Sequence, residues 1–245
     1  MRIAVAGGTG VVGRHVADVA RRRGHGVVVL ARSEGVDLTT GDGLAPRLEG
    51  VDAVVDVTST RTQNRRKAEA FFGDVTRHLL EAGSAAGVTH HVALSIVGID
   101  DIPSGYYHGK LHQERVVAEG SVPWSLLRAT QFHEFAEQAL DFMRVGPVSL
   151  VPGMLSQPVA AVEVAEALVV LAEDGPSGRV PDLAGPEPLQ MVELSRRVSR
   201  ARALGRRVVG LRVPGAMGRA MRSGGLLPVS DGPRGRITFD EWLGS

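Results

Sequence analysis

A doubly wound α/β fold with a parallel sheet is predicted by three observations. Short apolar runs alternate with helical periodicity through the first half of the chain. A glycine cluster joins the first run to the first helix, and the rhythm changes beyond Gln131, which marks a smaller C-terminal lobe. Residues 3–6 are the first strand, followed directly by Gly7-Gly8-Thr9-Gly10-Val11-Val12-Gly13. Val12, Val16, Val19 and Ala20 then share one helical face, Gly24 stops the helix, and residues 27–31 read as a buried second strand. This is a β-α-β unit of about 30 residues. Residues 36–38 read as a short third strand, 51–57 as a fourth, 64–82 as a helix punctuated by Gly83 and Gly87, and 91–95 as a fifth strand. A helix over 107–119 and a sixth strand over 123–129 follow.

Past Gln131 the pattern predicts a helix over 132–143, a strand near 148–151, a helix over 162–173 and a strand-like stretch at 179–183. Amphipathic stretches at 189–204 and 216–222 lie in a Pro-, Gly- and Arg-rich remainder. The expected organisation is a nucleotide-binding core over 1–150. Residues 151–245 complete that core and form a lobe over the carboxyl ends of the strands, where such sheets bind ligands.

A chain of 245 residues can bury a real core. Its formal net charge of +1 argues against a nucleic-acid binder working through a broad basic field. The absence of cysteine removes disulfides, thiolate catalysis and cysteine-ligated metals. The chain starts in a strand without an apolar leader, and Glu163 and Glu166 interrupt its most apolar late stretch. A cytoplasmic protein with no membrane span is therefore expected.

The glycine cluster points to a dinucleotide. A strand ending in glycines and running into a helix brings bare N–H groups and the positive end of the helix dipole to a pyrophosphate. Gly7, Thr9, Gly10, Val11, Val12 and Gly13 are the candidate contacts. At the end of the second strand an acid would hold a ribose 2′-hydroxyl, whereas an arginine accommodates a 2′-phosphate. Arg32 and Ser33 stand there and favour NADP(H) over NAD(H); Glu34 offers the opposite reading.

Tyr106 and Lys110 are four residues apart, so they share a helix face, and Tyr107 lies within reach of the same lysine. A lysine beside a phenol favours the phenolate, and a phenol so tuned can donate a proton to a carbonyl during hydride transfer. The ammonium could also hold ribose hydroxyls. His108 and His112 share i, i+4 spacing but lack an acidic partner of the metalloprotease kind, so no metal is expected. No glycine-flanked serine elbow is present. Gln131 and His133, after the sixth strand, are candidates for the substrate cleft, with a polar helix entry as the alternative for His133.

Taken with Leu94-Ser95 and Leu127-Arg128-Ala129-Thr130, these motifs resemble the atypical short-chain dehydrogenase/reductases, and within them the NmrA-like and NAD(P)H-binding proteins. The resemblance runs from the glycine loop through Gln157-Pro158-Val159 and Leu183-Ala184-Gly185-Pro186-Glu187 to residues 238–243. It implies a Rossmann core, Asp37 and Leu38 near the adenine, Thr58 and Ser59 lining the cofactor cleft, and Lys110 at the ribose. Ser95 stands in the catalytic serine's place, although it precedes Tyr106 by fewer residues than the family's pattern has. The expected function is NADPH-dependent reduction of a small carbonyl, quinone or conjugated substrate. A non-catalytic NAD(P)-sensing protein and a cofactor-retaining isomerase or dehydratase are the alternatives.

Overall fold

The computed structural model describes residues 1–245. β1 (Arg2–Ala6), α1 (Val11–Arg22) and β2 (Gly26–Leu30) form the first β-α-β unit, followed by β3 (Ala53–Asp56), α2 (Arg65–Ala86) and β4 (His90–Ile96). Next come α3 (Gly105–Glu119), β5 (Trp124–Ala129), α4 (Phe135–Phe142), β6 (Arg144–Val145), β7 (Val148–Pro152), β8 (Leu155–Ser156) and α5 (Ala161–Asp174). The chain closes with β9 (Gly178–Arg179), β10 (Leu189–Gln190), α6 (Met191–Ala201), β11 (Arg207–Leu211), α7 (Gly215–Arg222) and α8 (Phe239–Gly244).

The strands make a six-stranded parallel sheet in the order β2-β1-β3-β4-β5-β9. β1 lies between β2 and β3, with Ile3 opposite both Val27 and Ala53. This is the point at which the direction of winding reverses and where such sheets take a ligand. Ile3, Ala4, Val5 and Ala6 are all fully buried, as a central strand covered on both faces requires.

Two compact units share the chain. One holds residues 1–95, 104–128 and 164–180, and the other holds 96–103, 129–163 and 181–245. The division is therefore not made at one point, because the chain passes between the units several times. In the first unit the end of α5 is tied down by Glu173, which accepts from Arg23 at 2.6 and 2.8 Å and bonds to His25 at 2.6 Å. In the second unit β7 is flanked by β11 (parallel) and β6 (antiparallel), and α4 and α6 pack against this small sheet.

Residues 36–38 are not a strand. Gly35, Gly41 and Gly43 adopt φ of 76°, 81° and 73°, and Asp37 accepts bonds from the Thr39 N–H and hydroxyl. The segment turns back on itself through one isolated bridge between Asp37 and Asp42, and it inserts Val36 and Leu44 into the core as a loop. Consequently β2 is the edge of the sheet.

The helix predicted over 64–82 continues through Gly83 to Ala86. Gly83 packs on Val88, and Gly87 at φ 77° supplies the left-handed cap. The helix predicted from 132 begins at Phe135, because His133 N–H bonds to Val159 O and Val159 N–H bonds to Gln131 O, which holds this segment extended. Of the stretch at 179–183 only Arg179 is in β9. Pro181 cannot donate to a ladder, and Leu183 makes a separate bridge to Ala129.

Candidate cofactor and active site

The turn between β1 and α1 is built so that only glycine fits its critical positions. Gly7 has φ 79°, and a Cβ there would stand 3.0 Å from Val57 O and 3.1 Å from Thr58 Cα. At Gly13 a Cβ would come within 2.1 Å of Gly7 O and 2.7 Å of Gly8 Cα. Gly10 is the N-cap and differs from both, since a Cβ there meets only Gly7 O, at 3.2 Å. No side chain caps this helix, and the N–H groups of Val11, Val12 and Gly13 have no acceptor within the protein. Orphan donors at an exposed helix start, with no side chain over them, fit a pyrophosphate.

Thr58 borders this turn and is held in place from below. Asp56, fully buried at the end of β3, accepts from the Thr58 N–H at 2.9 Å and from its hydroxyl at 2.7 Å. The other Asp56 oxygen accepts from Gln113 Nε2 at 2.8 Å, and Gln113 Oε1 in turn accepts from the Lys110 ammonium. Lys110 also donates to Leu94 O at 2.6 Å and lies 4.8 Å from the centre of the Phe72 ring. A polar chain thus runs Lys110, Gln113, Asp56, Thr58 beneath the glycine turn.

The protein groups that the lysine contacts are not the phenols. Neither tyrosine hydroxyl is among the partners of Lys110, and both phenols are shifted upward instead of toward phenolate. Burial raises Tyr106, opposed by its bond to Ser59, and burial together with the neighbouring Tyr106 pushes Tyr107 up to about 12. Burial also lowers Lys110 to about 8, against the pull of Asp56 and Glu114. The close seating of α3 on α2 sets these positions. A Cβ at Gly105 would be 2.1 Å from Gln63 O, and one at Gly109 would be 2.8 Å from both Ala68 and Phe72. With α3 this close, the amine at 110 turns into the unit's interior.

The hydroxyls of Ser59 and Tyr106 meet at 2.9 Å, so one contiguous edge runs from Gly7 through Thr58 and Ser59 to Tyr106. Ser95, at the end of β4, is buried with its hydroxyl unpartnered. Beyond β2, Arg32 and Ser33 are exposed. Asp37, near Arg32, lies below the ordinary carboxylate range, chiefly because of its bonds from Thr39. Leu38 packs partly buried against the core, and its carbonyl bonds to His78 at 3.0 Å.

His133 is buried and fastened to the C-terminal part of the chain. Its Nε2 bonds to Ile237 O at 3.0 Å, and its ring packs against Phe239 and Trp242 of α8. Gln131 accepts from the Ser156 hydroxyl at 2.9 Å, while its buried amide nitrogen has no partner. Sequence reading did not single out Asp56 or Gln113. Both left a trace, a carboxylate closing an otherwise apolar strand and an amide three residues beyond Lys110 on the same helix face.

The order of strands and the bare glycine turn define a dinucleotide-binding α/β protein. A family profile described as NAD(P)H-binding matches residues 7–174, and the chain belongs to that family. Quinone oxidoreductase 2 of Escherichia coli is 22% identical over 218 residues, covering 79% of this chain and 72% of that protein. Photosystem II assembly factor Ycf39 of Synechocystis sp. is 27% identical over 147 residues, 54% of this chain and 45% of that protein. The chain therefore spans about half the length of that relative.

Among solved structures, the NADPH-dependent quinone oxidoreductase of Escherichia coli superposes with a TM-score of 0.70 at 20% identity, covering 99% of this chain and 98% of the other. The UDP-glucose 4-epimerase of Thermus thermophilus, in complex with NAD, gives 0.69 at 20% identity over 100% of each chain. At such identities these likenesses show the fold. No helix is long and apolar enough to cross a membrane.

Proposed function

We propose that this protein is an NADPH-dependent reductase of quinones and closely related conjugated carbonyls. The observation that carries the reaction class is the burial of Lys110 away from both phenols. Hydride addition to an isolated ketone gives a strongly basic alkoxide, which needs a well-tuned acid poised beside it. Addition to a quinone gives a delocalised phenolate that water or a neutral phenol can protonate. Tyr106, neutral and already bonded to Ser59, suits the second acceptor better than the first. Bound NADPH would supply the hydride; the chain's own groups cradle the pyrophosphate at 10–13 and offer Arg32 to the 2′-phosphate. The similarity to quinone oxidoreductase 2 over most of both chains supports the same acceptor.

The test is loss of NADPH absorbance on addition of a benzoquinone or a naphthoquinone, set against simple ketones. Turnover with quinones alone is expected, and ketone reduction at comparable rates would overturn the acceptor assignment. Tyr106→Phe should lower quinone turnover by less than about tenfold, well short of the ~10² to 10⁴ that a positioned general acid contributes. A larger loss would return proton delivery to that phenol.

For cofactor choice, Arg32→Ala should weaken NADPH by about 1.5 to 3 kcal/mol, the scale of a hydrogen bond to a charged group, with little change for NADH. Calorimetry showing equal losses for both would make Arg32 structural. The similarity to Ycf39 favours a second reading, a cofactor-binding protein that acts through a macromolecular partner. Tight NADPH binding without consumption by any quinone would select it.

A further inference from the structure

Glu34 lies two residues past Arg32, where its carboxylate would repel the 2′-phosphate that Arg32 is positioned to attract. The structure answers this conflict with a residue from a different segment. The Arg47 guanidinium donates to the Glu34 backbone carbonyl at 2.6 Å and stands 3.6 Å from its carboxylate. The two segments are locked in register. Asp37 N–H bonds to Asp42 O at 3.0 Å, and a Cβ on Gly43 would fall 2.2 Å from Gly35 O. Both side chains of the pair remain substantially exposed, at 42% for Arg47 and 48% for Glu34, so the pair adds little to stability. What it does alter is the field at the end of β2. Glu34 is matched by Arg47, and Arg32 lies close enough to Asp37 to help hold that carboxyl down, so the four side chains balance to zero and would carry a net negative charge without Arg47.

We propose that Arg47 is a specificity-determining residue that enables NADPH binding by cancelling the charge of Glu34, thereby leaving Arg32 free to read the 2′-phosphate. The inference rests on the NADPH preference proposed above. Arg47 acts through Glu34 and is thus a positioning and screening residue, not itself the phosphate ligand. This assignment makes a demand that a direct ligand would not make: removing both charges of the pair together must restore the wild-type affinity.

The experiment measures dissociation constants for NADPH and NADH, by calorimetry, for the wild type, Arg47→Ala, Arg47→Lys, Glu34→Gln and the double variant Arg47→Ala/Glu34→Gln. Arg47→Ala should weaken NADPH about fivefold, the order expected for unit charges a few ångströms apart in water, with NADH unmoved. Weakening should diminish in high salt. Arg47→Lys keeps the charge while losing the planar fork, so it should hold the wild-type ratio and guards against a loop disturbance in the alanine variant. The double variant should recover NADPH affinity to about the wild-type level, since both charges are then absent, while Glu34→Gln alone, with Arg47 unopposed, should bind NADPH more tightly than the wild type. An unchanged NADPH to NADH ratio in Arg47→Ala overturns the proposal, and a double variant as weak as Arg47→Ala overturns it in favour of direct phosphate contact. A wild type that prefers NADH fails the underlying cofactor reading instead, whatever the variants show.

Discussion

Gly10→Val is expected to abolish dinucleotide binding in a protein that still folds. Gly10 is the N-cap of α1, in extended conformation at φ −78°, which a side chain tolerates. A Cβ there meets only Gly7 O, at 3.2 Å, so the protein's own structure leaves room for it. The added methyls would instead stand over the free N–H groups of Val11, Val12 and Gly13, where the pyrophosphate must approach. Gly13→Ala provides the contrast. Its Cβ would be driven to 2.1 Å from Gly7 O, a backbone atom of the same tight turn, so that variant should lose stability along with binding. Thermal melts and NADPH calorimetry on the pair separate the two effects. A folded Gly10→Val with wild-type NADPH affinity would remove the cradle from the argument.

The same glycines show why the first part of the site was legible in the sequence. Gly7 and Gly13 are dictated by short-range geometry, a positive φ and a helix start pressed onto a strand end, and local constraints of this kind leave local signatures. The alternation of β1, α1, β2, β3 and α2 was readable for a related reason, since burial on two faces of a parallel strand or on one face of a helix imposes its own periodicity. Residues 36–38 show the limit. Val-Asp-Leu has a strand's composition, yet Asp37 holds Thr39 in a turn and three left-handed glycines fold the segment back, so Val36 is buried without pairing in the sheet.

The partners of Lys110 were not legible in the sequence. Its spacing from Tyr106 is correct for a shared helix face, but the destination of a long side chain depends on what the helix packs against. Gly105 and Gly109 bring α3 onto α2, and the interior supplies Leu94 O, Gln113 and the charge of Asp56 as partners. None of those partners is adjacent to the tyrosines in sequence. The pairing of Arg47 with Glu34 was equally hidden, since it depends on how two glycine turns stack. His133 had a plausible position after β5 but became the seat of α8 because Phe239 and Trp242, more than a hundred residues later, close over its ring.

The buried lysine should make stability rise with pH in alkaline solution, opposite to the behaviour of an exposed lysine engaged in a surface ion pair. Burial lowers Lys110 to about 8 in the folded protein, against an ordinary value of 10.5. Below the folded value both states carry the proton, and above the unfolded value neither does, so this group contributes a slope only between them. In that window the unfolded chain binds the proton and the folded chain does not, and stability therefore increases with pH, by on the order of 3 kcal/mol across the whole interval. The tyrosines act in the other direction. Tyr106 is raised and Tyr107 is pushed up to about 12, so the folded protein keeps protons that the unfolded chain releases as pH climbs past 10, and stability should turn down again there. A maximum near pH 10 is the expected result, measured by urea unfolding at a series of pH values. Lys110→Met should flatten the ascending limb while leaving the descending one. The slope is the quantity to compare, because that substitution also leaves Leu94 O and Gln113 Oε1 without their donor and so shifts stability at every pH. An ascending limb that survives unchanged in Lys110→Met would show that the amine is not the group titrating, and would undercut the polar chain from Lys110 to Thr58 as the support of the cofactor turn.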